Sequence, residues 1–429
     1  MKRIPFKNLL IFSIAIFLFF TGSAFGQDPA ERKETRPFQA TFITPFGTNG
    51  ADAPRIENKF SLNMLAGVNG GVQGFEAGGL ANVILGSVRG SQLAGLANYV
   101  HEETNGGQLA GLLNVSRGHM KGFQGAGLLN VSLDGAGGGQ LAGMANVNAG
   151  DFTGLQASGL VNVNTGNAGG LQAAGLVNYA GGDAMAGQFA GLVNAGIGET
   201  RGLQIAGLVN VSAKGHKGSQ ISGLVNAATE NVTGSQISGI VNYSKKVNGT
   251  QIALINVADS VGGVQVGLFS YSRNGFISLG LQSDETFQGA VVLKMGLKRF
   301  YNIYQIAGHE GDNRYWAYGL GFGTYLVDSR KMGLNLEGLA YHVNEDEWWT
   351  DELNLLARLN LGLEYRITSA FAITAGLSLN EAISQASDDE GFLTGGSFVP
   401  AWTFHEHIGG KTASTLYPGF HVGIAFKLR

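Results

Sequence analysis

The chain has 429 residues and a formal net charge of −3, and only 14% of its residues are charged. Soluble domains average about 25% charged residues and about 7% glycine, so 69 glycines with few charges indicate tight, repetitive β structure rather than helices. This balance gives no electrostatic basis for binding nucleic acid. The chain has no cysteine, which excludes disulfides, thiolate metal sites, a cysteine nucleophile and a lipid-modified cysteine anchor.

The N-terminus predicts a cleavable secretory signal peptide over residues 1–26. A basic segment, residues 2–7, precedes an apolar run, residues 9–20, and small residues flank the expected cleavage site before Gln27. The alternative is a retained anchor helix, which the short apolar run disfavours. Residues 27–59 are expected to form a linker or cap. No later segment has an apolar run of helix-spanning length, so any further membrane insertion would require a β-barrel.

Residues 60–270 contain a strict sixteen-residue repeat. Asparagine recurs every 16 residues from Asn82 to Asn242 without insertion or deletion, and once more after 14 residues at Asn256. For the asparagines from Asn82 to Asn242, glycine stands three places before, and leucine, or Met144 or Ile240, stands two places before. Glutamine stands six places before the same asparagines, except in the first copy, which has Glu76. The glutamines are Gln92, Gln108, Gln124, Gln140, Gln156, Gln172, Gln188, Gln204, Gln220 and Gln236.

Successive residues of the repeat core alternate between two faces, which is the pattern of a β-strand. In one copy, the alternation predicts a face formed by Ile205, Gly207, Val209 and Val211. The opposite face is then formed by Gln204, Ala206, Leu208, Asn210 and Ser212. The segments that link the cores are rich in turn-forming residues, as in residues 213–218.

Two architectures are compatible with this repeat. In a β-solenoid each copy forms one coil, and stacked Gln and Asn amides hydrogen-bond to the copies above and below. In the alternative, each copy is one strand of a large transmembrane barrel. Outer-membrane barrels alternate short turns with long loops and carry aromatic girdles, whereas these connections are equal and aromatics are sparse between Asn82 and Asn242. The sequence therefore favours the solenoid.

The last third of the chain, residues 271–429, has a different composition. All four tryptophans lie there, and longer alternating segments replace the repeat. The clearest runs from Leu353 to Arg366, with leucines on one face and polar residues on the other. Roughly eight antiparallel strands are expected, enough to close a small barrel. The long apolar rows favour an outer-membrane barrel whose apolar face is outside, with Arg358, Glu364 and Arg366 able to pair in its lumen.

Three segments are candidates for chemistry, and each also has an ordinary explanation. The run His405-Glu406-His407 places two imidazoles on one strand face, but no third metal ligand can be named. The acidic, aromatic loop 344–352 could bind a cation or a sugar, although its tryptophans also suit a bilayer interface. Asp388-Asp389-Glu390 is expected to be a polar loop. No nucleotide-binding, hydrolase or zinc-peptidase motif is present, so no enzyme activity and no catalytic, cofactor or metal residue is predicted.

Several segments resemble the surface repeat-containing proteins of Bacteroidetes and Leptospira. They are Gly-Leu-Gln-Ile-Ala-Gly-Leu-Val-Asn-Val (202–211), Gly-Val-Gln-Val-Gly-Leu-Phe (263–269), Phe-Gly-Thr-Asn-Gly (46–50), Asn-Gly-Gly-Val-Gln-Gly (69–74) and Lys-Arg-Phe-Tyr-Asn-Ile (298–303). The resemblance covers nearly all of the chain that would follow the signal peptide. It implies an outer-membrane or cell-surface location and supplies no site residues.

These observations lead to the hypothesis of a non-enzymatic, exported cell-envelope repeat protein with a structural or adhesive role. Its expected partners are outer-membrane lipid and a protein or glycan ligand on the repeat face. The main alternative is an outer-membrane channel or transport barrel. A third, weaker alternative is an enzyme whose site lies in the C-terminal loops.

Overall fold

The computed structural model describes residues 34–311, 314–345, 347–385, 396–409 and 412–429. The predicted signal peptide and Asp388-Asp389-Glu390 lie outside these residues. Within them the fold is all-β, with one short 3-10 helix, Gly50–Arg55. No helix in the described ranges is long and apolar enough to cross a membrane. The chain divides into two compact units, one ending at Gly166 and one beginning at Asn167. The domain limits expected at residues 59 and 270 remain predictions.

The first unit consists of short strands that form successive coils of a parallel β-solenoid. A regular coil contains a seven-residue strand, a Gly-Leu corner, a four-residue strand and a turn. The strands described in this unit are β1 (Glu34–Ile43), β2 (Phe46–Gly47), β3 (Ile56–Asn69), β4 (Gly71–Gly78), β5 (Ala81–Ile84), β6 (Val88–Ala94), β7 (Ala97–Val100), β8 (Thr104–Ala110), β9 (Leu113–Ser116), β10 (Met120–Ala126), β11 (Leu129–Ser132), β12 (Ala136–Ala142), β13 (Ala145–Asn148), β14 (Phe152–Ser158) and β15 (Val161–Asn164).

Equivalent residues of successive coils lie side by side in this unit. Strand β10 pairs in parallel with β8 and β12, which places Gln124 between Gln108 and Gln140. Strand β11 pairs in the same way with β9 and β13 around Asn130. Neighbouring strands lie about 4.8 Å apart, and a one-residue slip would turn every later side chain to the opposite face. This requirement explains why the repeat length is constant.

The second unit begins with coils of the same construction. The sixteen-residue step continues to Asn242, and the two following steps, to Asn256 and then Ser270, are 14 residues long. The coil strands of this unit are β16 (Ala168–Ala174), β17 (Val177–Ala180), β18 (Ala184–Ala190), β19 (Val193–Gly196), β20 (Thr200–Ala206), β21 (Val209–Ser212), β22 (His216–Ser222), β23 (Val225–Ser238), β24 (Val241–Ile252), β25 (Ile255–Val261), β26 (Val264–Val266) and β27 (Phe269–Ser272).

The solenoid has about 13 turns over the described residues. The predicted β-solenoid is therefore confirmed, and the alternative in which the repeats form strands of one large barrel is wrong. The physical reason is the pairing direction. Strands of an outer-membrane barrel are antiparallel, whereas coil strands such as β18 to β23 pair in parallel with their equivalents one coil away.

Glycine occupies the corner of each regular coil because the backbones of neighbouring coils approach closely there. A Cβ atom built on Gly207 would overlap the carbonyl oxygen of Gly191, which belongs to the preceding coil. A second glycine row lies within the seven-residue strands. Gly218 in that row has a φ of +133°, a conformation that residues with a side chain rarely adopt. The glycines are thus a condition for close stacking of the coils.

The C-terminal part of the second unit is an antiparallel β-barrel. Its strands are β28 (Phe276–Asp284), β29 (Gly289–Leu297), β30 (Phe300–His309), β31 (Tyr315–Asp328), β32 (Met332–Glu345), β33 (Asn354–Arg366), β34 (Phe371–Ser384), β35 (His405–Gly409) and β36 (Thr412–Lys427). Strands β28 to β34 pair in order, β34 pairs with β36, and β36 pairs with β28. Within the described residues these eight strands close the predicted barrel, while β35 extends β36 as a hairpin.

Side chains along the barrel strands alternate between the lumen and the outer surface. In β33, Leu356, Arg358 and Asn360 are buried in the lumen, whereas Leu359 and Leu361 are exposed on the outside. Other outward positions are also aliphatic or aromatic, as the exposed Leu320, Leu377, Phe420 and Val422 show. The predicted orientation, with the apolar face outside, is therefore confirmed for this barrel.

Candidate functional site

The interior of the solenoid combines ladders of hydrogen-bonded amides with small apolar clusters, such as Val72, Ile84, Val88 and Val100 in the first unit. In the first unit, Gln108 donates from Nε2 to Oε1 of Gln92 over 2.9 Å, and Gln124 donates to Gln108 over 2.7 Å. A second ladder joins the asparagines, with Asn98 donating to Asn114 over 2.9 Å. Because neighbouring amides satisfy each other's donors and acceptors, the cost of burying these polar groups is offset.

Glu76 ends the glutamine ladder of the first unit. Its carboxyl accepts hydrogen bonds from Gln92 over 2.8 Å, from Asn63 over 2.9 Å and from Asn69 over 2.5 Å. All three neighbours present donors, so a group that accepts at both oxygens suits this position. Burial raises the pKa of Glu76 from 4.5 to about 7, even though the hydrogen bonds from the amides favour the charged form.

The second unit repeats the ladders independently. Gln204 donates to Gln188 over 2.6 Å and accepts from Gln220 over 2.8 Å. Asn210 donates to Asn226 over 2.9 Å and also to the backbone carbonyl of Ile221 over 2.8 Å. The side chain of Asn210 thus binds the next coil twice, at an asparagine side chain and at a backbone carbonyl.

The predicted face assignment of Leu208 is wrong. Gln204, Ala206 and Asn210 are buried, but Leu208, which the alternation assigns to the same face, is 39% exposed on the outer surface. The reason is the Gly207–Leu208 corner between the two strands of the coil, where the two-residue alternation is broken. The corner turns every residue at the Leu208 position outward.

The outer surface of each coil has an apolar edge and a charged edge. In the second unit the corner position forms an exposed row, consisting of Leu176, Leu192, Leu208, Leu224, Ile240, Leu254 and Leu268. A neighbouring row includes the exposed Ile221, Ile237 and Ile252. Between Leu171 and Gly267, every Asp, Glu, Lys and Arg stands three to seven residues after a ladder asparagine, in or beside the variable turn. The corner rows themselves contain no charged residue.

A buried charge cluster lies inside the barrel, centred on Arg358. Its guanidinium donates to Asp284 over 2.5 Å, to Glu285 over 3.1 Å and to Asn380 over 2.7 Å. The side chains of Arg358, Asp284 and Glu285 are each at most 1% exposed. Burying charges is tolerated only when they are paired and hydrogen-bonded, as they are here.

Two further groups of charges line the lumen. Lys294 pairs with Glu337, which also accepts a hydrogen bond from the hydroxyl of Tyr301 over 2.6 Å. Arg366 pairs with Glu364 over 2.6 Å, which confirms part of the predicted lumen pairing. The partner predicted for Arg358 was on its own strand, whereas its actual partners, in the segment after β28, come from far along the chain.

The lumen is closed at the end that carries the longer connections. There the buried rings of Phe287, Tyr341 and Tyr417 pack together with those of Tyr315 and Phe398. At the opposite end, a cavity of about 550 Å³ opens between short turns. Its lining includes Lys298, Lys331, Arg366 and Lys427 together with Asp328 and Glu364. Both acidic residues already pair with Arg366.

The acidic, aromatic loop 344–352 carries an exposed aromatic cluster at the closed end of the barrel. Trp348 packs on Trp316 with ring centroids 5.1 Å apart, and Trp349 packs on His342 at 4.9 Å. Trp348 is 83% exposed and Trp349 is 50% exposed. The structure describes Asn344, Glu345 and residues 347–352 of this loop. In the same part of the barrel Trp402 donates from Nε1 to the carbonyl of Pro418 over 3.3 Å.

Among the candidates that lie within the described residues, the structure brings together no catalytic or metal-binding constellation. His405, Glu406 and His407 lie on the exposed strand β35. Among the described residues, no group of three or more His, Cys, Asp or Glu side chains could hold a metal ion. The absence of enzyme activity and of a cofactor stays a prediction.

Sequence reasoning missed Asp284, Glu285, Lys294 and Glu337 as lumen residues. They stand in segments whose alternation is weaker than that of β33, and no sequence signal connects them with Arg358. The replacement of glutamine by Glu76 in the first copy was a usable sequence signal for the end of the ladder.

No protein-family model matches the chain, and neither a curated protein nor a solved structure matches it.

Proposed function

We propose that this protein is a non-enzymatic repeat protein of the outer membrane, in which the barrel is a lipid-embedded anchor and the solenoid provides a structural or interaction surface. The observation that carries the proposal is the polarity of the barrel. Its exterior is aliphatic, and its charges are paired in the lumen. A barrel in water has the opposite arrangement, because its apolar residues are buried inside.

The two ends of the barrel support one orientation in the membrane. Short turns connect β29 to β30, β31 to β32 and β33 to β34, whereas longer connections precede β31, β33 and β36. Outer-membrane barrels have short periplasmic turns and longer extracellular loops. The chain enters β28 from the last solenoid coil at the short-turn end. We therefore propose a periplasmic location, rather than one on the cell surface, for the solenoid coils of the second unit.

The channel alternative has less support. The Arg358 cluster and the packed aromatic rings occupy the lumen, and an eight-stranded barrel has an interior only wide enough for side chains. We expect purified protein in planar bilayers to give no steady conductance of porin size. A steady pore of that size would favour the channel.

Protease access on intact cells tests the proposed orientation. One variant carries a protease-cleavable tag between Ala213 and Lys214 in a solenoid turn, and a matched variant carries it between Asp351 and Glu352 in a long barrel loop. We expect added protease to cut the loop tag in intact cells and the solenoid tag only after the outer membrane is permeabilised. Cleavage of the solenoid tag in intact cells would instead support display of the repeats on the surface.

A further inference from the structure

The apolar edge of the solenoid is a surface without an assigned role. The row of corner residues in the second unit repeats at every coil, and its members are exposed by 38 to 53%. Monomeric soluble proteins rarely expose contiguous apolar surface of this extent. The charged residues of the same coils are confined to the neighbourhood of the opposite turns. Each coil is therefore amphipathic in cross-section, in the way that an interfacial helix is.

The last coil connects this edge to the outer wall of the barrel. Asn302, which points outward from β30, donates to the carbonyl of Gly267 over 2.5 Å, and the Tyr304 hydroxyl donates to the carbonyl of Leu268. Leu268 is the final member of the corner row and remains 49% exposed. The next outward residue of β30 beyond Tyr304 is Ile306, which is 64% exposed. The aliphatic corner row thus ends beside the aliphatic wall of the barrel.

The short-turn end of the barrel is rich in basic residues. Arg299 lies beside the last coil and donates to the carbonyl of Gly262 over 3.5 Å. Arg330 and Lys331 lie in the next short turn, and Lys427 lies at the end of β36. Phospholipid headgroups carry phosphate, and basic residues near an anionic membrane surface are attracted to it. A lipid surface is the partner that matches both an aliphatic row and this adjoining positive charge.

We infer that the corner row of the second unit lies against the lipid surface beside the barrel, with the aliphatic side chains in the boundary between headgroups and acyl chains. This inference rests on the proposed function, because it requires the barrel to be embedded in the same membrane. It gives the solenoid a second, distributed membrane contact and leaves the charged turns facing water.

Single-cysteine labelling tests the inference on the full chain, which has no cysteine of its own. Three variants, Leu208→Cys, Lys214→Cys and Leu361→Cys, are labelled with an environment-sensitive fluorophore and reconstituted. The vesicles contain phosphatidylethanolamine and phosphatidylglycerol, with or without brominated acyl chains. Leu208 and Lys214 report on the two edges of one coil, and Leu361 reports on the barrel wall. We expect the Leu208 and Leu361 probes to lose most of their fluorescence in brominated vesicles, and the Lys214 probe to keep it.

The outcomes separate the inference from the proposal on which it rests. Quenching at Leu361 without quenching at Leu208 would overturn the inference and leave the barrel anchor intact. No quenching at Leu361 would overturn the membrane anchor and the inference with it. A Leu208 probe that is shielded in detergent and cross-links to another copy would show that a second chain covers the row, which also overturns the lipid contact.

Discussion

The solenoid and the barrel both bury polar groups and expose apolar ones, but the partners of their buried polar groups differ. In the regular coils of the solenoid, a ladder amide meets identical amides 16 residues away, as Gln204 meets Gln188 and Gln220. In the barrel, the most deeply buried charges meet unlike residues from distant segments, as Arg358 meets Asp284, 74 residues away.

Strand direction explains this difference. Parallel strands in register place each residue beside its own copy, so the side chain that repeats must both donate and accept. Gln and Asn amides do both. Antiparallel closure brings unlike residues together, so the barrel can use complementary charges, which identical neighbours could not provide. The comparison predicts that the two interiors respond differently to loss of one partner.

Loss of the central lumen cation is expected to have the largest effect. The substitution Arg358→Leu leaves Asp284 and Glu285 buried without their cation, and breaking a buried pair in this way costs about 3–5 kcal/mol. Urea unfolding of the reconstituted protein, followed by tryptophan fluorescence, measures the change. The control is Arg330→Leu in an exposed turn, for which the midpoint should be close to wild type. Equal unfolding midpoints for both variants would contradict a stabilising role of the Arg358 charge cluster.

Closing the space at a coil corner is expected to disrupt the solenoid. The substitution Gly207→Ala forces a Cβ atom onto the Gly191 carbonyl, and overpacking of this kind costs about 1–3 kcal/mol. Thermal unfolding followed by circular dichroism in the β region measures it. A Cβ atom at Gly289 meets nothing within 4 Å, so Gly289→Ala is the matched control and should behave as wild type. Tolerance of alanine at position 207 would mean that the coils are less closely stacked.

Substitutions at a buried amide and at an exposed aliphatic residue of one coil test directly which of the two stabilises the solenoid. The substitution Gln204→Leu removes the donor to Oε1 of Gln188 and the amide acceptor of Nε2 of Gln220, at a cost of about 1–3 kcal/mol. The substitution Leu208→Ser, four residues later on the outer edge, should change the free energy of unfolding in detergent far less. A larger effect for Leu208→Ser would show that the apolar rows stabilise the coils and that the amides do not.

The smallest expected effect, taken per pH unit, is a pH dependence at the end of the glutamine ladder. Glu76 has a pKa of about 7 in the folded chain against 4.5 unfolded, so the folded state holds the proton between these values. Stability from this group is therefore fully present below pH 4.5 and falls as pH rises towards 7, by at most about 1.4 kcal/mol per pH unit. Comparing the unfolding free energy of wild type and Glu76→Gln across pH 4.5–8 isolates it. The variant should lack this slope, and parallel curves would exclude an ionising Glu76.

The sequence predicts the solenoid better than it predicts the barrel interior. The ladder residues can be identified in the sequence because one register repeats them in every coil. Strand β33 can be identified because its two faces differ strongly in polarity. Leu208 was misplaced because alternation cannot locate a corner within a strand-like segment. The pairing of Glu364 with Arg366 follows from their positions two residues apart on one face, as the prediction assumed. Asp284 and Glu285 could not be predicted, because only closure of the barrel brings them to Arg358.

Depth-dependent quenching of the native tryptophans tests the membrane-anchored barrel most directly. All four tryptophans, Trp316, Trp348, Trp349 and Trp402, belong to the barrel region, so the unsubstituted chain reports on it without a label. We expect the tryptophans to form a girdle at the bilayer interface. Lipids brominated near the headgroup should therefore quench their fluorescence more than lipids brominated near the end of the acyl chain. Fluorescence that no brominated lipid quenches would contradict a barrel that spans the membrane.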